Sequence, residues 1–287
     1  MALADDWYAF GEDDERQVCI NLLQWYLRVP FAEGNDPEKP DLSEREIRQT
    51  IAAVLTQRRI RPAADPKSWA STVIGLDRVS LAECNLSSFD CSGLSLSVAD
   101  LGSANLTGAT LSRTDLRSAN LADANLADAN LADANLGTAN LSHANLSHAN
   151  LTHANLWYAD LTAAILISAD LSNASLLSAK LTDANLTGAN LTGADLTGAD
   201  LTGADLTYAD LRGANLTNAR LGSADLTGSD LTNAKLISAN LTGAKLSETD
   251  LTGANLTSAD LTDAGLFEVT YNEFTQWPKG FNYTAAN

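Results

Sequence analysis

The 287-residue chain has little of what most catalytic sites and membrane anchors require. No run of about 18 apolar residues occurs, so no segment of the sequence is expected to cross a membrane as a helix. The N-terminus, MALADDWYAFGEDDER, is acidic and has neither a basic start nor an apolar stretch, so no secretory signal is expected. There are three cysteines, an odd number, and all three are expected to be reduced in a cytosol-like compartment. A nucleophile elbow, a phosphate loop and a zinc-spaced cysteine pair are missing, which argues against an enzyme and against a bound cofactor or metal. Proline is scarce, with six residues, and methionine occurs once. Basic side chains are outnumbered by 36 to 18, for a formal charge of −18.

What the chain has is a period of five. From Leu76 to Leu266 every fifth residue is leucine except Cys91, over 39 register positions without insertion or deletion. An α-helix advances about 500° in five residues, so such leucines would spiral and form no stripe. A straight strand fails too, because an odd period sends successive leucines to opposite faces. The period works when each unit is a short extended piece followed by a turn. The residue two before each leucine is mostly Ala, as at Ala99, Ala104, Ala119, Ala124 and on to Ala264, and it faces inward with the leucine. Between them sits Asn or Asp, facing solvent. The two residues after the leucine are turn formers, with Gly188, Gly193, Gly198 and Gly203 supplying the positive φ of a type II turn. Cys84 and Cys91 fall at inward positions; Phe89 takes an alanine site, and the small Cys91 makes room for it.

Tandem ANLTG, ADLTG and ANLAD units over about residues 74–270 resemble the pentapeptide repeat family. The resemblance implies an all-β solenoid: a right-handed, four-sided parallel β-helix with four units per coil and nearly ten coils. At about 4.8 Å per coil the rod is on the order of 45–50 Å long.

The ends differ. Of 17 aromatic residues, seven precede residue 75 and six follow residue 266. A solenoid must cover its end coils. Phe267, Tyr271, Phe274, Trp277, Phe281 and Tyr283 are expected to form a C-terminal lid, with residues 271–287 as cap and tail. Residues 1–73 are expected to form a helical N-terminal cap packed on the first coil. One helix spans about 13–29, with Val18, Leu22 and Tyr26 apolar, and stops at Pro30. After an acidic, Pro-containing loop over 30–42, a second starts at the capping pair Ser43 and Glu46 and places Ile47, Ile51, Val54 and Leu55 on one face. The stretch ERQVCINLLQWYLRVPF is similar to helical segments that precede pentapeptide repeats in some larger bacterial proteins, where a membrane anchor lies further upstream. That similarity implies either a fragment of such a protein or a short relative without the anchor.

Candidate functional residues are few. His143, His148 and His153 are evenly spaced. With four units per coil they point in three directions and do not close on one ion, so local duplication of SHANL accounts for them. Residues 76–268 hold 22 acidic and 8 basic side chains, a net −14. Asp160, Lys180, Asp200 and Arg220 stack with alternating sign, a stabilising ladder. Asp210, Asp230 and Asp250 stack with like sign, which stability does not explain; the bland account is outward filler that keeps a rod soluble, the functional one an acidic stripe for a basic partner. Trp157 and Tyr158 replace the usual turn residues, with Leu177 one coil above, and Ile165 and Ile167 point out from the opposite side. Trp157, Tyr158 and Leu177 are the candidate protein contact; a covering by the N-terminal helices or a tolerated substitution is the alternative.

The expected function is a non-enzymatic, cytoplasmic scaffold: a rigid acidic rod that binds a protein partner without itself binding nucleic acid. The alternative comes from resemblance. The fluoroquinolone-resistance branch of the family resembles duplex DNA in size and charge and occupies the DNA-binding saddle of gyrase, which implies gyrase or another DNA-binding protein as partner. That branch is described as dimeric through a C-terminal helix and can carry loop insertions; neither is evident in this sequence, which weighs against that alternative, and the oligomeric state is left open.

Overall fold

Each five-residue unit must find partners for five backbone N–H groups. The computed structural model describes Leu23 and residues 26–28, 47–53 and 75–281, and most units of the repeat region satisfy those groups in one recurring pattern. In the unit 126–130, Leu126 N–H donates to the Asn145 carbonyl (2.7 Å) and Asp128 N–H to that of Ser147 (3.0 Å), both on the next coil. Asn130 N–H donates back to the Ala109 carbonyl on the previous coil (2.9 Å). Ala129 N–H closes the turn on the Leu126 carbonyl (3.0 Å). The fifth, Ala127 N–H, has no backbone acceptor in this geometry; it donates to the Asn125 side-chain oxygen at 3.1 Å.

Parallel bridges join each outward residue to the one twenty positions on, without a break from Gly75–Ser95 to Asp250–Thr270. A coil is therefore four units, and the outward residues form four columns. The last bridge, Asn255–Gln276, spans one residue more, so the register gains a residue only at the C-terminal end. At each turn from Arg78 to Glu268 the second turn residue has φ between 53° and 71°, the left-handed value of a type II turn. Glycine was expected to serve this need, but it fills 10 of these 39 positions, while Asp, Asn, Ser and His fill 19. Asn, Asp and His are among the non-glycine residues that tolerate this region best.

The leucines and alanines fill the interior and are almost wholly buried. Thr114, Ser229 and Thr249 take alanine sites, and each buried hydroxyl is satisfied by a carbonyl. Thr114 donates to Cys91 (2.8 Å), while Ser229 and Thr249 both donate to Leu226 (2.7 and 2.8 Å). Cys84 and Cys91 are buried. Phe89 packs partly buried at its alanine site, and beside Cys91 it lines an apolar cavity of about 10 Å³.

At the N-terminal end the helical residues meet the first coil. Leu27 and Ala52 join the core. Arg48 is only 1% exposed; its guanidinium donates to the carbonyls of Leu27 (2.9 Å) and Ser80 (3.1 Å) and lies 5.5 Å from the Tyr26 ring centre. The expected buried stripe is corrected here: Ile47 is exposed and Ile51 only half-buried, because the helix turns Arg48 and Ala52 inward. The ends of both expected helices, the 30–42 loop, Ser43, Glu46, Val54 and Leu55 lie outside the described residues, as do Val18, Cys19 and Leu22.

At the C-terminal end Tyr271, Trp277 and Phe281 pack against the core, with ring centres 5.6 and 5.5 Å apart in sequence. Phe267 and Phe274 are exposed, so only part of the expected lid covers the last coil. Thr275, where the extra residue enters, donates its hydroxyl to the Leu251 carbonyl (2.9 Å). Tyr283 lies outside the described residues.

Candidate protein-contact surface

Trp157 and Tyr158 are the two central residues of one turn, on the corner between the Asn155 and Asp160 columns. They are 43% and 56% exposed, and their rings meet at 5.8 Å with a 58° tilt. Tyr158 holds φ 55°, which swings its side chain away from the coil. Trp157 lies down instead, across Gly137 one coil before. A Cβ on Gly137 would collide with the indole Nε1, so glycine leaves the slot in which the ring rests. Gly137 is not at a positive φ; its lack of a side chain, not its backbone, is what the site uses. Sequence reasoning missed this residue. The signal was a glycine twenty positions before the tryptophan, at the first turn position, where Thr, Ser or Ala is usual.

Leu177 sits one coil after Trp157, half-buried, and its carbonyl accepts Tyr158 N–H at 2.9 Å. Three coils before Tyr158, Val98 is 53% exposed at φ 57°, a strained setting for a β-branched residue. Ser97, Arg117, Ser118, Gly137 and Thr138 lie between Val98 and Trp157 and line an open notch of about 260 Å³. Arg117 is held in a two-pronged pair with Asp115 (2.8 and 2.6 Å), and this bond keeps the Asp115 carboxyl below the usual carboxylate range against the opposing effect of burial. Ile165, exposed, and Ile167, half-buried, lie two units further on, across the rod from Trp157.

The structure stacks Asp210, Asp230 and Asp250 on successive coils. Two features give this column a structural role that the sequence reading did not foresee. Each carboxylate accepts the N–H two residues on, from Arg212 (3.1 Å), Thr232 (2.9 Å) and Thr252 (2.8 Å). Arg212 also clamps the first two carboxylates, with its guanidinium at 2.6 Å from Asp210 and 3.7 Å from Asp230. The Arg212 hydrogen bond lowers the Asp210 pKa despite partial burial. Column stepping alone hid Arg212, which sits in the adjacent turn.

The alternating ladder resolves into two pairs, Lys180 with Asp160 (3.3 Å) and Arg220 with Asp200 (3.4 Å). His143, His148 and His153 all occupy the left-handed turn position, with φ of 57–58°, on three different corners. Among the described residues no three His, Cys, Asp or Glu are grouped to hold a metal, and no helix is long and apolar enough to cross a membrane.

The repeat pattern matches a known family. The family model "Pentapeptide repeats" matches in 8 copies, over residues 76–113, 119–157, 144–183, 158–193, 179–218, 194–233 and 229–266. Among solved structures, HetL, a pentapeptide repeat protein involved in heterocyst differentiation regulation from the cyanobacterium Nostoc sp. strain PCC 7120, is 38% identical. The match covers 67% of this chain and 86% of HetL, with a TM-score of 0.45. Rfr23, from the cyanobacterium Cyanothece 51142, is 39% identical over 34% of this chain and 63% of its own, with a TM-score of 0.24. QnrB1, a plasmid-mediated fluoroquinolone resistance protein, is 20% identical over 64% of this chain and 86% of its own, with a TM-score of 0.33. No curated protein sequence matches the chain. The five-residue leucine register, the twenty-residue coil and the family match together make this chain a member of the pentapeptide repeat family, with a right-handed β-helical solenoid as its fold.

Proposed function

We propose that the chain is a non-enzymatic, cytoplasmic interaction rod that engages a protein partner through Trp157, Tyr158 and Leu177. In this reading residues 74–270 form nearly ten coils, residues 1–73 a helical cap and residues 271–287 an aromatic cap and tail. The observation that carries it is the exposed Trp157–Tyr158 pair on a rod whose other turns are overwhelmingly small and polar. Core packing does not require it: the inward positions of that unit are already filled by Leu156 and Ala159, both fully buried. Exposed, rigid aromatic side chains backed by a fitted slot suit a binding anchor.

Mimicry of duplex DNA toward gyrase or another DNA-binding protein is the second reading. It rests on the net charge of −18 and on the stacked Asp210, Asp230 and Asp250. Arg212 neutralises part of that stripe, and Lys245 and Lys235 interrupt the two neighbouring columns, which favours the aromatic contact. A pull-down from cell extract at low and high salt, with bound proteins identified by mass spectrometry, separates the two. A salt-resistant partner lost with Trp157→Ala supports the contact reading. A DNA-binding protein released by salt and indifferent to Trp157→Ala replaces it with mimicry.

A further inference from the structure

The corner that carries Trp157 differs from the other three along its length. From Ser97 to Ser258 its turn residues include no acidic side chain and one basic one, Arg117. Of the other corners, one carries Asp123 and Asp183, one Asp128 and Glu248, and one Asp133 together with Arg113 and Arg212 over the same stretch. Two copies of so acidic a rod repel wherever acidic corners meet; the Trp157 corner and the Arg113–Arg212 corner are the two without net negative charge, and of these only the Trp157 corner also presents large apolar side chains. Its large apolar residues are also arranged as a palindrome. Val98 and Tyr158 are three coils apart, as are Leu177 and Ile237, and Trp157 and Leu177 are on adjacent coils.

We propose that this corner is a two-fold contact with a second, antiparallel copy of the same chain, the dyad lying between Trp157 and Leu177. The proposal rests on the aromatic contact reading above and names its partner. The two-fold brings Tyr158 of one copy onto Leu177 of the other and Val98 onto Ile237, while the indole of Trp157, lying over Gly137, faces the small turn Thr197–Gly198 of the other copy, a self-complementary arrangement of the kind a closed dimer requires. In the flanking column, Asp160 of one copy faces Lys180 of the other. Arg117 meets the neutral turn of Thr217 and Asn218, whereas a parallel pairing would set Arg117 against Arg117 and indole against indole. The strip is about 34 Å long at ~4.8 Å per coil and one or two side chains wide. It is smaller than a standard interface of roughly 1,600 Å² in total, so the dimer is weak and forms at high protein concentration.

Sedimentation equilibrium of the full 30.2 kDa chain over a wide concentration range tests this. The expected result is a monomer–dimer equilibrium that tightens severalfold from about 0.05 to 0.5 M salt, because screening removes the repulsion. Trp157→Glu and Leu177→Glu each weaken it at least tenfold, with folding checked by circular dichroism. Orientation is read by a short thiol cross-linker on the double variant Val98→Cys/Ile237→Cys, with the parent chain as background. Cross-linked dimer is expected from the double variant and not from either single one. A mass that stays monomeric at every concentration overturns the proposal while leaving a heterologous contact at Trp157 to the pull-down. A dimer indifferent to both glutamates, or efficient self-linking of Val98→Cys alone, overturns it equally.

Discussion

The outward residue, Asn or Asp in most units, is structural there, because its side-chain oxygen takes the one turn N–H that the backbone leaves over. Asp205, for example, accepts from Thr207 N–H at 3.0 Å and from the Thr207 hydroxyl at 2.7 Å. Ile165 breaks the pattern and offers the N–H of Ile167 no such acceptor, while its column neighbours Asn145 and Asn185 both keep theirs. Ile165→Asn is therefore expected to stabilise the rod by about 0.5–1.5 kcal/mol in urea denaturation, the usual net value of one hydrogen bond. A loss of stability would mean that the isoleucine packs rather than merely interrupts. Val98→Asn should likewise gain about 1 kcal/mol, since Val98 holds the left-handed conformation at φ 57° against its β-branched side chain. The leucines and alanines were legible in the sequence because burial enforces them at a fixed spacing. The reason for Asn and Asp was not, because it appears only once the turn has left a donor without a backbone acceptor.

Among elements, the junction between helix and rod is where sequence periodicity misled. Ile47 and Ile51 looked like the buried stripe, but the first coil offers the carbonyl of Ser80 beside that of Leu27, and Arg48 turns inward to bridge them. An arginine at an apolar-looking interface carries no periodic signal. Arg48→Met is expected to loosen this junction and leave the rest of the rod intact, since solenoid coils are coupled mainly to their nearest neighbours. Amide hydrogen exchange should speed up at residues 47–53 and around Ser80 while the coils near Leu201 keep their protection; acceleration throughout would show that the helical cap nucleates the whole solenoid. Within the rod, Asp200 serves both as a turn acceptor for Thr202 and as the partner of Arg220. Asp200→Asn keeps the first role and should cost only a few tenths of a kcal/mol, as an exposed ion pair does. Asp200→Lys loses both and places three cations in one column, so its thermal midpoint should fall clearly below that of Asp200→Asn.

At the scale of the whole molecule the acidic surface sets an opposition between long-range repulsion and local pairing. The net −14 of the rod disfavours the compact state at neutral pH through repulsion between coils, which salt screens. Local pairing acts the other way. Asp115 and Asp210 have carboxyl pKa values lowered in the folded state by their bonds to Arg117 and Arg212. A depressed folded pKa contributes stability that is present above the unfolded value, about 3.9, and is lost as pH falls through the folded one. The thermal midpoint is therefore expected to hold between pH 7 and about 5 and to fall below about 4. Replacing Arg117 and Arg212 together by Met should soften that acid-side fall. Salt distinguishes the two contributions. At neutral pH, going from about 0.01 to 0.15 M shortens the screening length from ~30 to ~8 Å, which weakens repulsion between coils more than it weakens contacts at 2.6 Å. The midpoint at pH 7 should rise with salt. A midpoint that falls would mean that the local pairs, not the summed charge, govern the electrostatics of the rod.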